Sequence, residues 1–138
     1  MFHSLNEKVS YVKALIYLAT IDQEGISEEE KIYIATIAKA YGIPEENIES
    51  LYDDVINTKD LETILAGIED RKHKLMLVNE LIAISYADGH YLEEEHAGVM
   101  KICEILGVEE SKLNEIEHLM IRRIELEKET VKVLEMEE

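Results

Sequence analysis

The amino-acid sequence predicts an all-α chain of about seven helices in a compact bundle, in which one helical hairpin unit occurs twice about a pseudo-twofold. Three observations predict it. Ala, Leu, Ile, Glu and Lys dominate, and 138 residues hold only one proline and six glycines, which suits long helices. Apolar residues recur at helical spacing along most of the chain, and no strand-like alternation of useful length occurs. Finally, Glu28, Glu29, Glu30, Gly42 and Ile43 are matched by Glu93, Glu94, Glu95, Gly107 and Val108 at a fixed offset.

The first helix is expected from Leu5 to Ile21, carrying Leu5, Val9, Val12, Leu15, Ile16 and Ala19 on one stripe. Ser27 followed by Glu30 is a capping-box pattern, so the second helix begins there and runs to Tyr41, with Gly42 as its stop. Pro44 suits the first turn of a third helix carrying Ile48, Leu51, Val55 and Ile56. Asn57-Thr58-Lys59-Asp60 breaks that pattern, and a short fourth helix follows from about Asp60 to Ala66, ending at Gly67. The fifth starts near Asp70, is strongly apolar from Leu75 to Ile84, and ends at Asp88-Gly89. The sixth covers about Glu93 to Leu106, with Gly107 as its stop. From Glu109 onward the sequence reads as one long helix, or as a helix with a frayed acidic end. Residues 1–138 are expected to form a single domain, with 120–138 as a helical extension.

Helical periodicity says where the acidic residues of the repeated motif point. Glu30 is followed by Ile34, Ile37, Ala38 and Tyr41, and Glu95 by Val99, Ile102, Cys103 and Leu106, at the same spacings. Both glutamates therefore lie at the N-terminal end of an apolar stripe. Asp22 continues the face of Leu15 and Leu18, and Asp88 that of Leu77, Leu81 and Ile84. Glu28, Glu29, Glu93 and Glu94 face water. A carboxylate at the edge of a core needs compensation. Two kinds are open here. One is local: a capping box at Glu30, and turn hydrogen bonds at the two aspartates. The other is a divalent cation held by Asp22, Glu30, Asp88 and Glu95. The local explanation suits the first copy better, because Leu92 stands in the second where Ser27 stands in the first and has no side-chain acceptor. Neither copy is an EF-hand: counting from Asp22 or Asp88, glycine and glutamate do not fall at positions six and twelve.

The pattern Ala87-Asp88-Gly89, then Glu94-Glu95, then Leu106-Gly107-Val108, following Leu81-Ile82-Ala83-Ile84-Ser85-Tyr86, resembles the TerB-like tellurite-resistance family. The resemblance spans about residues 5–119 and includes the weaker first copy, which reads Asp22-Gln23-Glu24-Gly25 in place of Asp-Gly. It implies an all-helical bacterial domain tied to tellurite resistance and stress response, whose acidic residues, here Asp22, Glu30, Asp88 and Glu95, chelate metal. Related domains also head J-domain co-chaperones, but this chain has no His-Pro-Asp.

Composition bounds the alternatives. A formal net charge of -17 without a basic stripe disfavours nucleic acid and anionic membrane surfaces. It favours cations or proteins with basic surfaces. No apolar run reaches bilayer length, no signal-peptide pattern opens the sequence, and the lone Cys103 fits a reducing compartment, so a cytoplasmic location is expected. Cys103 reads as a buried, inert thiol on the sixth helix. His90 and His96 flank the second motif, but their spacing is not that of a transition-metal site and they read as surface residues. No Ser/His/Asp arrangement, P-loop or GxGxxG occurs, so an enzyme is not expected. Met120, Ile124, Val131 and Leu134 form a stripe on the last helix, expected either to pack within the chain or to support a weak homodimer. The functional expectation is a non-enzymatic module binding a divalent cation at the duplicated motifs. The alternative is a metal-free acidic scaffold that docks a basic protein.

Overall fold

The helix Leu5–Ala19 (α1) is the element on which most of the others pack. Tyr11, Val12, Ala14, Leu15, Ile16, Leu18 and Ala19 are all buried, so the helix is covered on most sides rather than along one stripe. The structure is a computed structural model and describes residues 5–21, 26–58, 60–86, 91 and 93–136. Among these residues it is all-α. After α1 come α2 (Glu28–Ala40), a 3-10 turn (Glu45–Asn47), α3 (Ile48–Thr58), α4 (Leu61–Leu65), α5 (Arg71–Ser85), α6 (Glu93–Leu106) and α7 (Glu110–Val133).

Two central helices organise the bundle. α1 packs on α2, α3, α4 and α5, and α5 packs on α6 and α7. Each outer motif helix also reaches the opposite central one: α2 touches α5, and α6 touches α1. Leu77, Val78, Leu81, Ile82 and Ile84 of α5 meet the buried face of α1 in one continuous core. Burial of each such aliphatic side chain contributes about 1.5–3 kcal/mol. No described helix is long and apolar enough to cross a membrane.

The helix stops follow from the glycines. Gly42 and Gly107 adopt φ of 78° and 77°, the left-handed conformation that closes a helix. The amide of Ile43 donates to the carbonyl of Ala38 (2.9 Å), and that of Val108 to Cys103 (2.8 Å), while each glycine amide bonds one residue further on. These are paired Schellman closures, and Ile43 and Val108 tuck into the core behind them. α5 opens on Asp70, whose carboxylate accepts from the Lys72 amide at 2.8 Å.

Several boundaries differ from the sequence reading, among them the end of α5, which closes at Ser85, ahead of the expected stop at Asp88-Gly89. α1 ends at Ala19, two residues early, in a turn closed by Thr20 bonding back to Ile16 and Tyr17. Pro44 is not in the first turn of α3. It is extended, with ψ of 140°, and leads into the 3-10 turn, because its carbonyl accepts from the Asn47 amide. α3 continues through Asn57 to Thr58, since Val55 anchors its last turn in the core.

Candidate functional site

The site is the pair of junctions where the repeated motif enters α2 and α6. Glu30 is the third residue of α2 and Glu95 the third residue of α6. They are 1% and 3% exposed, so both carboxylates are inside the fold, as the periodicity indicated. Their neighbours Glu28, Glu29, Glu93 and Glu94 are exposed. Asp22 and Asp88, the other two expected ligands, lie outside the described residues, as do His90 and Leu92.

The first junction closes on itself. Ser27 Oγ accepts from the Glu30 amide at 3.1 Å, and Glu30 Oε1 accepts from the Ser27 amide at 3.0 Å. This full capping box places Glu30 at the positive end of the α2 dipole. One turn later the Tyr33 hydroxyl donates to Glu80 of α5. Tyr11 and Tyr41 stand edge to face beside it, with ring centroids 5.4 Å apart. Burial, and then the bond to Glu80, holds the Tyr33 phenol above its ordinary range; burial and the Glu80 charge do the same for Tyr11.

The second junction is braced from α7. His96 Nδ1 lies 2.7 Å from Glu117 Oε2, and the Tyr91 hydroxyl is 3.2 Å from the same nitrogen. Nδ1–H donates to the carboxylate, which has only acceptors. Tyr91 also packs against Tyr86 and the His96 ring. Burial, then the bond to Glu117, raises the Tyr91 phenol. Cys103 is buried below this cluster, and burial followed by the Glu117 charge pushes its thiol up to about 11. That is an inert thiol at neutral pH. His96 is a partly exposed hydrogen-bonded histidine, consistent with its reading as surface.

Each motif helix packs on the central helix of the other half: α6 on α1, and α2 on α5. A Cβ built on Gly98, one turn beyond Glu95, would lie 2.8 Å from Ile21 Cδ1 and 2.9 Å from Leu18 Cδ1. The bare backbone of α6 therefore lies against the residue that immediately precedes Asp22. Tyr33–Glu80 likewise joins the first motif's helix to the helix that leads toward Asp88. Glu80, Glu117 and Tyr91 were not singled out from sequence. Their partners lie 47, 21 and 5 residues away, and only the last is within reach of local patterning.

Among the described residues, no three His, Cys, Asp or Glu side chains are grouped to hold a metal ion. Glu30 and Glu95 offer oxygen donors suited to hard cations. A carboxylate that accepts one amide retains further lone pairs.

The sequence model of the family described as tellurite resistance protein TerB matches residues 12–118. The fold is similar to the crystal structure of a tellurite resistance protein from Nostoc punctiforme. The TM-score is 0.70 and the identity 25%, over 98% of this chain and 84% of that one. No curated protein matches significantly.

Proposed function

Because the chain belongs to the TerB family, we propose that it is a non-enzymatic module that binds a divalent cation at its duplicated Asp/Glu motifs and serves in tellurite resistance or a related stress response. The observation that carries the reading is the burial of Glu30 and Glu95 at the same position of two helices. A buried carboxylate is costly unless its charge is balanced. For Glu30 the capping box supplies part of that balance. At the second junction leucine at position 92 supplies no such cap. On this proposal a cation shared with Asp88 adds to the interactions that Glu95 makes within the fold, and one shared with Asp22 adds to those of Glu30. The donors are all oxygen, which favours Ca²⁺, Mg²⁺ or Mn²⁺ over softer metals. The internal duplication, on this reading, supplies two copies of one ligand pair. The tellurite and stress setting is drawn from the names of the family and of the Nostoc punctiforme protein. Cytoplasmic residence is part of the same proposal.

Thermal melting of chelated protein with and without each cation tests the reading. A gain in melting temperature for at least one hard cation is expected, and no gain for any would overturn it. The rival is a metal-free scaffold that docks a basic protein, favoured by the -17 charge. On that reading Asp88→Asn with Glu95→Gln lowers stability with no change in metal response, and a salt-sensitive partner is recovered in a pull-down.

A further inference from the structure

Helix α7 outruns the body on which it packs. Leu113 and Met120 are buried, and Ile116 and Ile124 lie partly buried against the core. From Glu125 to Met136 every residue except Val131 is exposed. Of the stripe Met120, Ile124, Val131 and Leu134, expected either to pack within the chain or to support a weak homodimer, Met120 and Ile124 lie against the core, Val131 is half-buried and Leu134 is exposed. Beyond Ile124, nine further helical residues, about 13 Å, project from the bundle. They carry bare apolar side chains: Leu126 is 64% exposed and Val133 71%. Leu119, Leu126 and Val133 are spaced by seven and fall on one side of the helix.

Charge indicates what covers the stripe. Within residues 119–136, Arg122, Arg123, Lys128 and Lys132 balance Glu125, Glu127, Glu129 and Glu135. The segment is neutral, and the whole net charge of -17 lies outside it. A basic partner is drawn to the acidic body instead. A second copy is repelled by that body everywhere except along this segment. The order of charges also selects an orientation. Parallel pairing stacks Arg122 and Arg123 on their own counterparts and brings both acidic bodies to the same end. Antiparallel pairing puts the arginines of one copy over the Glu129 region of the other and holds the bodies at opposite ends.

We propose that the chain forms an antiparallel homodimer through α7, with Leu119, Leu126 and Val133 as its seam and a twofold axis near Leu126. The contact is isologous, each copy giving the same surface. It is independent of cation binding. The seam is short, so association is concentration-dependent over roughly the micromolar-to-millimolar range.

Sedimentation velocity of the full chain tests it. The expected mass rises from that of a 15.9 kDa monomer toward twice that value with concentration. Leu126→Glu, at an exposed position, keeps the native circular dichroism and melting temperature but stays monomeric. Orientation is read by oxidising a mixture of Leu119→Cys and Val133→Cys proteins, in which the mixed disulfide is expected to dominate over either self-linked product. A monomer at every concentration, association of Leu126→Glu equal to that of the unmodified chain, or dominant self-linking of Leu119→Cys overturns the proposal.

Discussion

A Glu7 carboxylate oxygen on α1 lies 2.8 Å from Nδ1 of His73 on α5, with both side chains shielded from solvent. The pair ties together the two helices around which the bundle is built. Removing one member leaves the other buried without its closest counterpart. Glu7→Ala or His73→Ala is expected to cost about 1–3 kcal/mol, while replacing both by leucine costs less than the sum. Urea unfolding in a double-mutant cycle measures this. Simple additivity would contradict it.

Much of the fold was legible because its signals are local. Glu30 and Glu95 were placed inside by the apolar residues four, seven, eight and eleven positions on, and both are buried. Gly42 and Gly107 were readable as helix stops, and both take the left-handed conformation. Long-range pairing was not legible. Nothing near His73 in sequence points to Glu7, and nothing near Tyr33 points to Glu80, because such partners are chosen when helices dock. Pro44 was misplaced for a local reason: an extended proline before a 3-10 turn and a proline in a first helical turn share the same φ. The expected ligands Asp22 and Asp88 lie outside the described residues, so the full set is carried by the proposal alone.

The capping box gives a second prediction. Ser27→Ala removes the acceptor for the Glu30 amide and is expected to cost about 1 kcal/mol. Because Glu30 remains in place, a cation-dependent rise in melting temperature should survive. Loss of that rise in Ser27→Ala would show that the serine, rather than the carboxylate, carries the response.

The glycines should divide by backbone conformation rather than crowding. Nothing lies within 4 Å of a Cβ at Gly107, yet its φ of 77° strains any L side chain, so Gly107→Ala is expected to cost about 1–2 kcal/mol. A Cβ at Gly98 meets only the ends of the Ile21 and Leu18 side chains, and alanine regains up to about 1 kcal/mol of helix propensity. Gly98→Ala should therefore lie within about 1 kcal/mol of neutral. Chemical denaturation of the two variants gives the order, and the reverse order would contradict this account.

Alkaline pH should destabilise the fold through its buried acids. Burial, helped by Glu80 or Glu117, raises the phenols of Tyr11, Tyr33 and Tyr91, and the Cys103 thiol moves from 9.0 to about 11. The folded chain thus holds protons that the unfolded chain releases first. The stabilisation is fully present below the unfolded values near 9 and 10, and is lost as pH rises through the folded ones. Absorbance of tyrosinate followed beside circular dichroism should show these three phenols ionising only as helix is lost. Complete tyrosine ionisation with the helical signal intact would contradict it. Cys103 should likewise resist alkylation at neutral pH until the chain unfolds.

The central claim is that the buried carboxylates of the repeated motif hold a cation, and calorimetric titration of chelated protein tests it most directly. Ca²⁺, Mg²⁺, Mn²⁺ and Zn²⁺ are titrated separately into the unmodified chain and into a variant carrying Asp88→Asn with Glu95→Gln. Saturable binding of at least one hard cation, weakened tenfold or more in the variant, is the predicted result. No binding of any of the four by the unmodified chain, or equal binding by the variant, would contradict it.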